Sequence, residues 1–261
     1  MIYDFIFVVL VYRNTSDLVD FFASLKLERT RVIVVNSFYD EESELQFKQI
    51  AESNHADFLS VPNNGYGTGN NRGVKYALDH YDFKYLVISN ADVEIKAMSK
   101  EYLDNRKNGI YAPSIKTLSG KQQNPHMPYH IKMIDKLKYK LFCKNYWTGI
   151  LLFCAVNKIL RNLFFITTKL GFHKIYTAHG AFVIFPKEIV EDLYPFYDED
   201  VFLFTEEENL GQLAQRNKIN TYFVPKVKIR HKEDGSTSMI SDKQRDITRK
   251  SYITFYKKWY V

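Results

Sequence analysis

The chain has 261 residues, close to the size at which a single core stops growing, so one domain with an insertion fits as well as two. Its 46% hydrophobic content is that of a globular protein and excludes a disordered or fibrous chain. The net charge of +6 conceals a split: residues 1–120 hold 13 Lys/Arg against 16 Asp/Glu, while residues 121–261 hold 23 against 14. On charge alone the second half wants an anionic partner: nucleic acid, anionic lipid or a diphosphate. Residues 1–12 show no basic leader or cleavage site, and Cys143 and Cys154 match no metal or redox spacing, as expected in a reducing cytoplasm.

Residues 5–12 are continuously apolar, which predicts a parallel strand covered on both faces. Thr15 and Ser16 are placed to cap a helix in which Leu18, Phe21, Phe22 and Leu25 recur at helical spacing. Residues 31–35 are β-branched and predict a second strand, 40–53 a helix, and 58–61 a third strand. Residues 69–81 predict a helix with Val74, Ala77, Leu78 and Tyr81 on one face, and 85–89 a fourth strand. This alternation predicts an α/β fold with a right-handed, mostly parallel, Rossmann-like sheet and flanking helices.

The middle differs. Residues 131–174 hold nine Lys/Arg and a single acid, Asp135. The apolar runs 150–156 and 163–166 are interrupted by Asn157, Lys158, Arg161 and Asn162, so they are expected to be too short to span a bilayer. Basic residues beside Trp147, Phe153, Phe164 and Phe165 predict helices lying on an anionic membrane surface. The alternative is a helical insertion packed on the sheet or on a second subunit. Residues 180–185 predict a strand, with Pro186 in the first turn of a short helix. Thr205 then caps a helix opened by Glu206, Glu207 and Glu208 and running toward Arg216. Residues 221–224 and 227–231 predict two last strands, and 241–260 a basic, aromatic helix ending in Lys257, Lys258, Trp259 and Tyr260. The expected organisation is a nucleotide-binding half (1–115), a basic aromatic insertion facing acceptor or membrane (116–178), the second half of the same domain (179–238), and a C-terminal amphipathic helix (239–261).

The most informative stretch is Asn63, Asn64, Gly65, Tyr66, Gly67, Thr68, Gly69, Asn70, Asn71, Arg72 and Gly73, followed by the strand and then Asn90, Ala91 and Asp92. Glycines let backbone approach a ligand, and amide side chains hydrogen-bond it. A carboxylate at the carboxyl end of a parallel strand lies where open α/β sheets bind ligands. A nucleotide with a metal-bound diphosphate fits such a site.

Taken in order, several segments resemble a family 2 glycosyltransferase of the GT-A fold, in the bacterial rhamnosyltransferase-like branch. They are Val11 to Asn14, Val35 and Asn36, the loop from Asn64 to Gly73, Asn90 to Asp92, Gly180 to Phe182, Glu206 and Glu207 with Leu210 and Arg216, and His231 with Gly235 and Ser236 beyond it. The resemblance implies inverting transfer from a nucleotide-diphosphate sugar to an acceptor hydroxyl. It implies Asp92 as the last position of a DXD-like metal motif for Mn²⁺ or Mg²⁺, Asn90 standing where that motif begins, and His231 completing the metal site or touching diphosphate. Glu206 and Glu207 match the family's Glu-Asp position, with Glu207 the expected catalytic base. Tyr12, Asn14, Asn36, Asn64, Gly65, Gly69, Asn71, Arg72, Asn90, Ala91 and Gly180 are the expected contacts to the nucleotide sugar. Asn36 replaces the family's usual Asp.

A UDP- or dTDP-sugar donor, a lipid-linked glycan acceptor in cell-surface polysaccharide (O-antigen or capsule) synthesis, and peripheral attachment to the inner face of the cell membrane follow as expectations. A sugar-phosphate nucleotidyltransferase is expected to carry its glycine loop straight after the first strand, where Arg13, Asn14 and Thr15 stand instead. A nucleic-acid partner is not expected, because no binding motif is present. A degenerate, scaffolding glycosyltransferase stays open, given Asn36 and Asn90.

Overall fold

The structure is a computed structural model and describes residues 1–104, 106–168, 171–232 and 241–261. The chain begins β1 (Ile2–Val11), α1 (Thr15–Ser24), β2 (Thr30–Ser37), α2 (Glu41–Ser53), β3 (Asp57–Val61), α3 (Tyr66–His80) and β4 (Asp82–Asn90). It continues β5 (Val93–Ala97), β6 (Ile110–Thr117), α4 (Lys132–Cys143), α5 (Trp147–Thr168), β7 (His173–Ile175), β8 (Phe182–Pro186), α6 (Lys187–Leu193), α7 (Glu206–Arg216), β9 (Thr221–His231) and α8 (Asp242–Tyr260). The strands form one sheet in the order β3-β2-β1-β4-β8-β6-β9-β5, with β7 on β9. β3, β2, β1 and β4 are parallel, as is the β6–β9 pair; β8, β5 and β7 run antiparallel to their neighbours.

Side chains alternate across a strand, so a strand covered on both faces needs apolar residues throughout. In β1, Phe5, Phe7 and Val9 enter one core with Phe21 and Phe47, while Ile6 and Val8 enter the other with Val74, Ala77 and Phe185. The first strands and helices stand where the periodicity predicts. Three boundaries differ. The cap of α1 is Asn14, whose side chain accepts from the Ser16 N–H, rather than Thr15 or Ser16. Helix α3 starts at Tyr66, so Gly67 and Gly69 lie in its first turns and not in a loop. The two predicted last strands are one, β9, with a register shift between Val224 and Lys228. Pro225 lies in that shift and has no N–H for the ladder.

The insertion forms a third, smaller core: Phe142 and Ile150 pack with Tyr252 and Phe255 of α8. Trp259 donates its indole N–H to Asn209 and lies under the Arg216 guanidinium, and Lys258 pairs with Asp198. The end of α8 is therefore docked on the domain through Trp259 and Lys258. Helix α5 corrects the expectation that its apolar runs are too short to cross a bilayer. Its 22 residues, about 33 Å at the helical rise, are long and apolar enough by length and composition to cross a membrane. Two of the interrupting polar residues anchor one side of the helix: Asn157 donates to the His126 carbonyl and Arg161 to the Gln122 carbonyl, while Lys158 and Asn162 are exposed. Leu151, Leu152, Ile159, Leu163 and Ile166 are exposed.

Asp135 holds this region together. Its carboxylate accepts from Tyr260 (2.6 Å) and Tyr252 (3.1 Å) of α8 and meets His130 Nε2 at 2.9 Å, and Tyr260 in turn accepts from Gln212 of α7. Burial opposes its charge, but the bonds from His130 and Tyr260 and the charge of Lys138 outweigh burial and hold its pKa below the ordinary carboxylate value. Asp135→Ala strands these buried donors and is expected to lower stability by about 3 kcal/mol or more in urea unfolding. A loss below about 1 kcal/mol contradicts the role given to this network.

Candidate active site

Helix α3 is pressed onto the sheet by its glycines. A Cβ at Gly69 lies 2.6 Å from Leu10 and one at Gly73 2.3 Å from Val8, so these positions serve close helix–sheet packing rather than ligand approach. Gly65 differs: its φ of +112° and a Cβ contact of 2.4 Å with the Phe202 carbonyl require glycine at the turn. Asn71 is fully buried and bonds both the carbonyl and the N–H of Tyr197, which makes it a backbone tie between α3 and the 197–199 segment. Arg72 pairs with Glu199 on the surface, and Asn64 is exposed beside the turn.

At the carboxyl end of β1, Tyr12 is 44% exposed and packs edge-on against Tyr39, with the Arg13 guanidinium over both rings. Asn14 is engaged as the α1 cap and donates to Asp17. Asn36 is buried, bonds Ser60 through its amide nitrogen, and leaves Oδ1 without a partner. That orphan acceptor, beneath an aromatic and cationic lip, is suited to a donor from a flat heterocycle. Arg13 and Tyr39 join this lip although nothing in their local sequence marks them.

The turn between β4 and β5 presents Asp92, and the end of β9, the strand paired with β5, brings His231 beside it, opposite Val93. His231 Nε2 lies 3.2 Å from the Asp92 carboxylate, and Nδ1 is 2.8 Å from Gln123 Oε1. Burial works against charge on Asp92, but the bond and charge of His231 outweigh it and keep its pKa below the ordinary value. The Asp92 side chain is 30% exposed, so an incoming ligand reaches it. One imidazole and one carboxylate are donor types that Mn²⁺ accepts and shares with phosphate and water. Lys232 pairs with Asp17 and Asp20; Gly235 and Ser236 lie outside the described residues.

The second group of site residues stands on α7. Phe204 and Thr205, immediately before it, both adopt left-handed backbone (φ +71° and +69°), a pair costing about 1–3 kcal/mol each. The Thr205 side chain makes no cap. This strained corner delivers Glu206 and Glu207. Glu207 Oε1 accepts the Gly180 N–H at 3.1 Å, and the Tyr66 hydroxyl lies within bonding distance of both Asn90 Oδ1 and the Gly180 carbonyl. Ala91 packs behind, and the Asn90 N–H bonds the Ala181 carbonyl. Three histidines then link the two carboxylate groups: ring centroids are 5.9 Å apart from His126 to His179 and 5.7 Å from His179 to His231. Ala181 donates its N–H to His179 Nδ1, and burial pulls His179 down to about 3, so this ring is neutral.

The adjacent carboxyls are pushed apart. Burial and the charge of Glu207 raise Glu206 to about 8. For Glu207 burial also opposes ionisation, but His126 and the N–H groups of Glu207 and Gly180 prevail and hold its pKa below the ordinary value. At neutral pH the pair therefore carries one proton, on Glu206. Below pH 4.5 Glu206 is protonated in both folded and unfolded chains; between 4.5 and about 8 only the folded chain keeps the proton, so stability falls as pH rises through that window. Glu206→Gln is expected to melt at nearly the wild-type temperature at pH 4.5 and above it at pH 8, as scanning calorimetry can measure. Parallel melting profiles contradict the raised Glu206.

Glu207 and Glu208 open into a cavity of about 660 Å³ walled by α4, α5, the 126–131 segment and Tyr252. His126, Glu207 and Glu208 bring ligand atoms within 4.8 Å of one another and form a second group able to hold a cation. Gln123, His126, His179 and Tyr66 are site residues that sequence reasoning misses.

No protein-family model matches the chain, and no curated protein matches it in sequence. Similarity lies in the fold. S. aureus TarS matches with a TM-score of 0.58 at 12% identity, over 88% of this chain and 36% of that one. GalNAc-T7 with UDP, GalNAc and Mn²⁺ gives 0.62 at 12% identity, over 99% of this chain and 48% of that one. The mannosyltransferase PcManGT from Pyrobaculum calidifontis, in complex with GDP-Man and Mn²⁺, gives 0.50 at 13% identity, over 88% and 57%. The chain has the GT-A glycosyltransferase fold, and it spans less than half the length of the first two of these structures.

Proposed function

We propose that this chain is an inverting, metal-dependent glycosyltransferase of family 2, in the rhamnosyltransferase-like branch. In this reading it moves a sugar from a UDP- or dTDP-sugar to a hydroxyl of a lipid-linked glycan acceptor in bacterial O-antigen or capsule assembly. The observation that carries the reading is the Glu206–Glu207 pair, with Glu207 bonded to the Gly180 N–H, lining a large cavity and linked by histidines to Asp92. Glu207 takes the proton of the acceptor hydroxyl as that oxygen bonds the anomeric carbon and the bond from that carbon to the diphosphate breaks. A single displacement needs no enzyme nucleophile, so one base suffices.

Asp92 and His231 would hold Mn²⁺ or Mg²⁺, which supplies positive charge to the departing diphosphate. Tyr12 stacks on the base, the Asn36 acceptor faces it, and Asn64, Gly65 and Arg72 line the path of ribose and phosphate. Asn90, Ala91 and Gly180 contact the sugar. The nucleotide and Mn²⁺ bound to GalNAc-T7 and PcManGT are consistent with this assignment. Segment 116–178 supplies the acceptor side of the domain. Its exposed apolar α5 face, together with the exposed Lys132, Lys136 and Lys140 of α4, supports peripheral attachment to the inner leaflet, at roughly 1 kcal/mol per lysine.

Two measurements test the proposal. Thermal shifts with UDP and dTDP should appear and grow with Mn²⁺, since a ligand at 100 times its Kd adds about 2.7 kcal/mol. The protein should also co-sediment with anionic liposomes at low salt, and less so once Lys132, Lys136 and Lys140 are changed to Glu. Lys138 is left alone because it pairs with Glu208. No shift with any nucleotide contradicts the donor reading, and unchanged co-sedimentation contradicts the membrane reading.

A further inference from the structure

We infer that the cavity under α5 is a binding site for an amphiphilic anion, with an apolar chain against Ile134, Phe142, Ile150 and Phe153 and a phosphate or diphosphate head on Arg161. The inference deepens the proposed function by naming the acceptor's chemistry and rests on it only for the occupant's role as acceptor.

Arg161 leaves the anchored side of α5 and lines the cavity. One of its terminal nitrogens donates to the Gln122 carbonyl, while Nε is buried without a partner. Among the described residues no carboxylate pairs with it. A guanidinium has five donors, and holding a carbonyl needs only one of them. A buried cation left uncompensated is costly unless an anion meets it. The other charges in the wall sharpen the case. Lys138 is committed to Glu208, and Asp135 to His130 and two tyrosines. Lys121 and Lys158 stand exposed at the rim, with no ion pair among the described residues. Glu207, on α7, adds one negative charge to the wall, so the surplus positive charge lies on the α5 side, at Arg161 and Lys158.

The remaining wall is mostly apolar and too extensive for a bare ion. A cavity of about 660 Å³ has the size of a small-molecule site, and a lone phosphate leaves most of it uncovered. Ile131 and Cys154, both exposed, carry the lining out to the surface beside the exposed face of α5. An apolar chain thus has a path outward, and a hydroxyl carried beyond the head reaches Glu207 in the same cavity.

Calorimetric titration of the full chain with three probes tests this: a C10 prenyl monophosphate below its micelle concentration, inorganic pyrophosphate, and a neutral alkyl glucoside. The prenyl phosphate should bind at least about tenfold tighter than either of the others. Arg161→Gln should weaken it at least about tenfold while leaving the UDP thermal shift unchanged. Equal binding of pyrophosphate would mean an anion site alone, and equal binding of the glucoside an apolar cavity alone; either overturns the inference. So does Arg161→Gln that binds normally, its arginine then being only a loop anchor. Should Arg161→Gln fail to fold, Lys121→Glu with Lys158→Glu, both exposed, takes its place, and unchanged binding overturns the inference. Prenyl phosphate binding without any nucleotide shift leaves the inference standing and refutes the donor reading instead.

Discussion

Asp92→Ala is expected to abolish sugar transfer while leaving the melting temperature within a few degrees of wild type. The side chain is partly exposed and fills no core, so its loss removes a ligand and not packing. The same change deletes a partner of His231 Nε2, so both halves of the proposed cation site are affected together. Excess chelator should reproduce the defect in the wild type, and Mn²⁺ or Mg²⁺ should reverse it. The His126, Glu207 and Glu208 group makes the alternative concrete. If Asp92→Ala still binds Mn²⁺ with wild-type affinity and His126→Ala does not, the cation belongs beside α7. Full activity in excess chelator removes the metal from the account altogether.

Glu207→Gln should lower turnover by roughly 10²–10⁴, the range for losing a positioned general base, with donor affinity little changed. Glutamine keeps the bond from the Gly180 N–H but cannot take a proton. Glu206→Gln should be far milder, because the carboxyl it replaces is already neutral at pH 7. A crippled Glu206→Gln beside a near-normal Glu207→Gln reverses the assignment within the pair. Two near-normal variants place the base elsewhere.

The parallel half of the sheet was legible because strands covered on both faces are apolar at every position, as 5–9 and 85–88 are, and no polar alternation blurs them. The meeting of Asp92 and His231 was legible for a related reason: Asp92 follows one readable strand and His231 ends another. The run from Gly65 to Gly73 misled in part. Glycine marks a turn and a tight helix–sheet contact alike, and only the positions of Leu10 and Val8 distinguish the two. Asn71 reads as a ligand contact until Tyr197, 126 residues away, is seen to occupy it. His126 and His179 are single histidines with no local pattern, brought together by a long-range fold. Asp135 did leave a signal, as the lone acid among nine basic residues, but its partners on α8 lie more than a hundred positions downstream. The apolar outer face of α5 was masked by Asn157 and Arg161, which interrupt the sequence run yet share the helix's anchored side.

The most direct test of the central claim is release of nucleoside diphosphate by the purified chain, with Mn²⁺, from a panel of UDP- and dTDP-sugars. The account predicts release from at least one donor, a product sugar of inverted anomeric configuration by proton NMR, and loss of both in Asp92→Ala and Glu207→Gln. Release that persists in both variants, or a product of retained configuration, contradicts it.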